Sequence, residues 1–145
     1  MKSIELNEAQ KPFVSELENL IRSCEDTMAI DLENSDITSL LSHLRVCQTL
    51  MSVQSRIVEL STLIYGHVKG LLIEEFKQIQ EDEVDFYKSM KVHEFRLWAD
   101  GKMSRWEALY LKSERVIKSL DRYNENLRTL ISAEKQLTTH LSGQV

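Results

Sequence analysis

Residues that turn a chain are scarce here: one proline and four glycines in 145 residues. Most tight turns draw on the preset φ of proline or the positive φ open to glycine, so few such turns are available. The two cysteines, Cys24 and Cys47, lack CxxC spacing, and each falls on an apolar helical stripe. That pattern reads as buried, reduced thiol, and nothing else in the chain argues for a disulfide framework. Apolar runs reach only a few residues, far short of the roughly 20 that span a bilayer. The segment Met1–Lys11 is polar and acidic, unlike a secretory leader. A soluble, cytoplasmic protein is expected (host cytoplasm if the source is viral).

Chemical signatures are equally sparse. His43, His67, His93 and His140 are too far apart for an HxxxH pair, and neither HExxH nor Glu-x-x-His occurs. The adjacent His93 and Glu94 would point in different directions on a helix. There is no glycine-rich phosphate loop and no GxSxG elbow. The expectation is a non-enzymatic protein with no catalytic, cofactor-binding or metal site and no cofactor.

What the chain does contain is 42 % apolar and 28 % charged residues, enough to build a core. A first helix is predicted over about 12–30. Pro12 suits a first turn, where its missing N–H costs nothing. Phe13, Leu17, Leu20, Ile21, Cys24 and Met28 recur at steps of three and four. Residues 31–36 read as a short connection, with Ser35 or Asp36 as the cap of the next helix. Segments 36–64 and 67–99 then read as helices that are either continuous or broken near Tyr65-Gly66. The first is apolar on several sides (Leu44, Val46 and Leu50 diverge), so burial in a bundle or an oligomer is expected. Glu81-Asp82-Glu83 reads as a polar surface stretch before the apolar pattern resumes at Val84.

The stretch ADGKMSRWE (Ala99–Glu107) resembles half of a calcium loop, with Asp100, Gly101 and Glu107 at the fifth, sixth and twelfth places. Arg96 and Trp98 occupy the first and third places, where oxygen ligands belong, so calcium is rejected. The reading that remains is a hairpin corner at Asp100–Ser104. Gly101 would end one helix, and Ser104-Arg105-Trp106-Glu107 would open the next as a capping box. Trp98 and Trp106 would pack that corner.

A last helix over 104–141 carries the clearest pattern. Leu109, Val116, Leu120, Tyr123, Leu127 and Leu130 alternate at three and four, continue through Leu137 and Leu141, and mark a coiled-coil-like seam with Ser113 and Glu134 as polar members. Those six residues are the expected protein-interface anchors. The sequence thus predicts an all-α single domain over 1–145: an antiparallel helical bundle or long helical hairpin with coiled-coil-like seams, expected to be a homo-oligomer.

Charge is uneven along the chain. Residues 1–35 hold 3 basic and 8 acidic side chains, whereas residues 102–145 hold 8 and 5. Arg105, Lys112, Arg115, Lys118 and Arg122 follow helical steps along one side, where they would track phosphates or dock on the acidic first helix. RLWADGK (Arg96–Lys102) followed by YLKSE (Tyr110–Glu114) is similar in order to part of the phage recombination mediators that load recombinase on single-stranded DNA. The overall design also resembles phage small terminase subunits. Either resemblance implies a nucleic-acid accessory role for the basic residues, although the acidic first helix departs from a strong DNA binder. The leading expectation is an interaction, assembly or regulatory protein with a protein partner, with nucleic acid as the alternative and no membrane.

Overall fold

The computed structural model describes residues 2–32 and 35–143, and within them every regular element is helical. A 3₁₀ turn at Glu8–Gln10 leads into α1 (Lys11–Met28). Then follow α2 (Ile37–Met51), α3 (Gln54–Asp82), the short α4 (Val84–Ser89) and α5 (Val92–Gly143). Pro12 sits in the first turn of α1. Glu33 and Asn34 of the expected connection lie outside the described residues. Asp36 caps α2, its carboxylate accepting the Ser39 N–H at 2.8 Å. Hydrogen bonding to the charged carboxylate from the Ser39 side chain, and then from its backbone N–H, holds the Asp36 pKa below its ordinary value.

α2 and α3 together run antiparallel to α5. His43 meets Tyr123, Gln54 meets Asp121, Tyr65 meets Tyr110, and Glu75 meets Lys102. At 52 residues, α5 is about 78 Å long at the usual rise, long enough to back both. α1 lies against this hairpin, tied to α3 by Glu16–Arg56 at 2.7 Å and to α5 by Glu25–Lys112 at 3.3 Å. The main core joins Leu17, Ile21 and Cys24 of α1 to Ile57, Leu60, Ile64 and Val68 of α3, and to Met103, Trp106, Val116 and Leu120 of α5. A second cluster joins Leu40 and Cys47 of α2 to Leu127 and Ile131 of α5.

Three expected boundaries are corrected. The first is the corner at Asp100–Ser104, which does not form: α5 passes straight through it. The Ser104 hydroxyl donates back to the Gly101 carbonyl at 3.1 Å instead of capping a new helix. The reason lies at the other end of the chain. The Ile4 N–H donates to the Lys102 carbonyl at 3.0 Å, and Trp106 Nε1 donates to the Ile4 carbonyl at 2.8 Å. Ile4, Leu6, Met103 and Trp106 are buried together. Glycine inside a helix costs about 1 kcal/mol. Burying one large apolar side chain returns roughly 1.5–3 kcal/mol, so the continuous helix wins.

The second correction is the reversal itself, which occurs at Glu83–Lys91 around α4. Glu83 (φ −124°, ψ 53°) and Met90 (φ −74°, ψ 123°) break the helical geometry without glycine or proline. The third is a break at Ser52–Val53, inside the expected 36–64 helix. Both residues keep right-handed helical angles, and the hydrogen bonds shorten to Ser52→Thr49 and Val53→Leu50. Tyr65-Gly66 lies within α3. The many-sided apolarity of the middle segment resolves into one buried face, while Val46, Val58 and Leu63 remain exposed.

Candidate functional site

Most of the expected interface anchors are used within the chain. Val116, Leu120 and Leu127 are buried in it, Leu109 and Tyr123 pack partly buried against its clusters, and Leu130 stays exposed. The polar seam members divide. Ser113 is buried, with its hydroxyl donating to the Leu109 carbonyl at 2.9 Å, while Glu134 is half-exposed. Asn124, which flanks the seam next to Tyr123, is buried, and its Oδ1 has no hydrogen-bond partner among the described residues. His43 is buried and meets the Tyr123 hydroxyl at 2.7 Å, with the rings edge-on. Burial raises the Tyr123 pKa. Burial likewise pushes both thiols, Cys24 and Cys47, above the ordinary range.

The five basic candidates are all exposed on α5 but differ in company. Arg105 lies over the Trp106 ring at 4.7 Å, and Lys112 pairs with Glu25. These two face acidic α1, where a groove of about 340 Å³ is lined by Glu18, Arg22, Glu25, Asp26 and Lys112. Among the described residues, no ion pair engages Arg115, Lys118 or Arg122. Nor do three metal-ligating side chains converge among those residues. No helix among them is long and apolar enough to cross a membrane.

The feature that stands out is the far end of the hairpin. Val68 and Met103 are buried, and between them no residue is. Yet four aromatic rings meet in this stretch: Phe76 from α3, Tyr87 from α4, and Phe95 and Trp98 from α5. Phe76 is the hub, with ring centres 4.5 Å from Phe95, 5.6 Å from Tyr87 and 6.4 Å from Trp98. Phe95 and Trp98 stack at 5.7 Å. Such spacings suit offset and edge-on aromatic contact. Around the hub, Val92 is 71 % exposed, Leu97 67 % and Phe86 52 %, with Ile73, Val84 and Tyr87 also open.

Local hydrogen bonds hold the reversal in place. The Met90 N–H donates to the Tyr87 carbonyl, and the Ser89 hydroxyl to the Phe86 carbonyl. The Lys91 N–H donates to Glu94 Oε2 at 3.0 Å, half of a capping box that starts α5. Lys102–Glu75, at 2.8 Å, clamps α5 to α3 near the base of this end. Two open hollows flank α4. One, of about 380 Å³, is lined by Phe76, Tyr87, Val92 and Phe95 with Lys88 and Lys91. The other, of about 360 Å³, is lined by Phe86, Met90, Leu97 and Trp98 with Glu94.

The sequence reading missed this surface by absorbing Val84–Trp98 into one helical stripe. A signal was there: apolar residues at 84, 86, 87, 90, 92, 95, 97 and 98 fit no single helical face. Comparison of the chain with protein-family models, with curated proteins and with solved structures gave no match.

Proposed function

We propose that the protein is a non-enzymatic helical interaction and assembly module that works by docking through the distal end of its hairpin. The observation that carries this reading is the run of exposed apolar side chains between Val68 and Met103, where nothing is buried. A contiguous apolar patch larger than a few hundred Å² is rare on a surface that meets only water. The seam of α5, by contrast, is covered by the chain's own helices from Leu109 to Leu127, while its continuation at Leu130, Leu137 and Leu141 is exposed. A photo-crosslinking amino acid placed at Phe86 of the full chain tests the reading in its cells of origin or a lysate of them. Covalent protein adducts are expected from position 86 and not from an exposed control position such as Arg128. Equal, background-level labelling at both positions would remove the proposal.

A second reading, a nucleic-acid accessory protein, is favoured by one observation: Arg115, Lys118 and Arg122 are exposed without ion pairs among the described residues. Electrostatic binding of phosphates is strongest at low salt. Retention of single- or double-stranded DNA at about 50 mM salt, lost on changing all three to Glu, is the expected result if this reading holds. No retention there eliminates it.

A further inference from the structure

We propose that the distal end docks on the distal end of a second copy of this chain, around a two-fold axis beside α4. In that arrangement Phe86 and Leu97 of each copy enter the Phe76–Tyr87–Val92 hollow of the other. The inference rests on the reading of this end as a docking surface and names its occupant.

Size is the first argument. Val84, Phe86, Tyr87, Val92 and Leu97, between 37 % and 71 % exposed, together present apolar surface on the order of a few hundred Å², the size that marks an interaction site. The half-buried edges of Phe76, Met90, Phe95 and Trp98 and a polar rim bring one face close to the roughly 800 Å² per partner of a stable interface.

Charge is the second argument, and it selects the occupant. The hollow on one side of α4 is rimmed by Lys88 and Lys91, and the hollow on the other side by Glu94. A two-fold axis between them sets the basic rim of each copy against the acidic rim of the other, so every favourable pair is made twice. A lipid surface fits less well. Residues 80–101 carry 3 basic and 6 acidic side chains, and anionic headgroups would repel that balance. A strongly acidic or strongly basic protein partner would likewise satisfy one rim and oppose the other.

The experiment is the solution mass of the full chain by sedimentation and light scattering across about 1–100 μM, the range where interfaces of modest size dissociate. The wild type is expected to pass from one chain to two over that range. Phe86→Asp should stay monomeric with an unchanged far-ultraviolet helical spectrum. The pair Lys88→Glu/Lys91→Glu in one chain and Glu94→Lys in another should each weaken self-association about tenfold, since each lost pair is lost twice. Mixing those two variants at equal concentration should restore association, because the mixed pair brings Glu at 88 and 91 against Lys at 94. A simple loss of the Glu94 cap would not be rescued by mixing.

A wild type that stays monomeric throughout overturns the proposal, as does a dimer insensitive to Phe86→Asp or a mixture no tighter than its components. The crosslinking result separates this failure from failure of the docking reading. Adducts at position 86 to other proteins alone sink the second copy and leave a docking surface standing. Absence of adducts sinks both.

Discussion

The near and far halves of the hairpin are built from the same helices and differ in what covers them. Near the middle of α5, α1 and the segment around Ile4 fill the groove, so Leu120, 0 % exposed, and Trp106 sit in a three-sided core. Beyond Met103 only α3, α5 and the six-residue α4 remain, and two long helices cannot enclose their apolar stripes alone. The difference teaches where each kind of free energy resides. Folding stability belongs to the covered half, while the uncovered half retains apolar area that a binding event can still remove from water.

The largest effect expected from that contrast comes from matched truncations. Leu120→Ala should destabilise by about 2–5 kcal/mol in denaturant unfolding, whereas Leu97→Ala, far more exposed, should cost less than about 0.5 kcal/mol in dilute solution. Similar losses at both sites would break the comparison. Next is Trp106→Phe, which keeps most of the ring but leaves the Ile4 carbonyl without its donor. A loss of about 1–3 kcal/mol is expected, and amide exchange at residues 2–7 should accelerate with it.

Smaller and opposite in sign is Gly70→Ala. A Cβ there meets nothing within 4 Å, so the helix gain of about 0.5–1 kcal/mol should appear as a raised denaturation midpoint. Acid should act on the covered half as well. The Arg56 guanidinium beside Glu16 holds its pKa below the ordinary carboxylate value, and hydrogen bonds from Ser39 do the same for Asp36. A group with a depressed folded pKa stabilises above its unfolded pKa and loses that contribution as pH falls through the folded one. Stability should therefore decline as pH drops below the ordinary carboxylate range, and Glu16→Gln/Asp36→Asn should flatten that decline slightly, as a pH series of melts would measure.

Much of the covered half was legible because local rules and tertiary packing agree there. Pro12 opens α1, Asp36 caps α2, and the alternation from Leu109 to Leu127 marks the buried face of α5. The corner at Gly101 misled because glycine and Ser104-x-x-Glu107 are local signals, while the contact that overrides them joins residues about a hundred positions apart, Ile4 and Trp106. The break at Ser52–Val53 was invisible for another reason: both residues keep helical angles, and no turn residue marks it. The distal surface stayed hidden because the reversal at Glu83 and Met90 uses neither glycine nor proline. Without a reversal there, Phe76, Phe95 and Trp98 have no reason to meet.

The most direct test of the open distal end is amide hydrogen exchange of the full chain at low and high protein concentration. At low concentration, residues 69–102 should exchange faster than residues 103–131. Concentration should slow the first group several-fold and leave the second unchanged, as expected where association adds protection only at the docking surface. Equal protection of residues 69–102 at both concentrations would contradict the account.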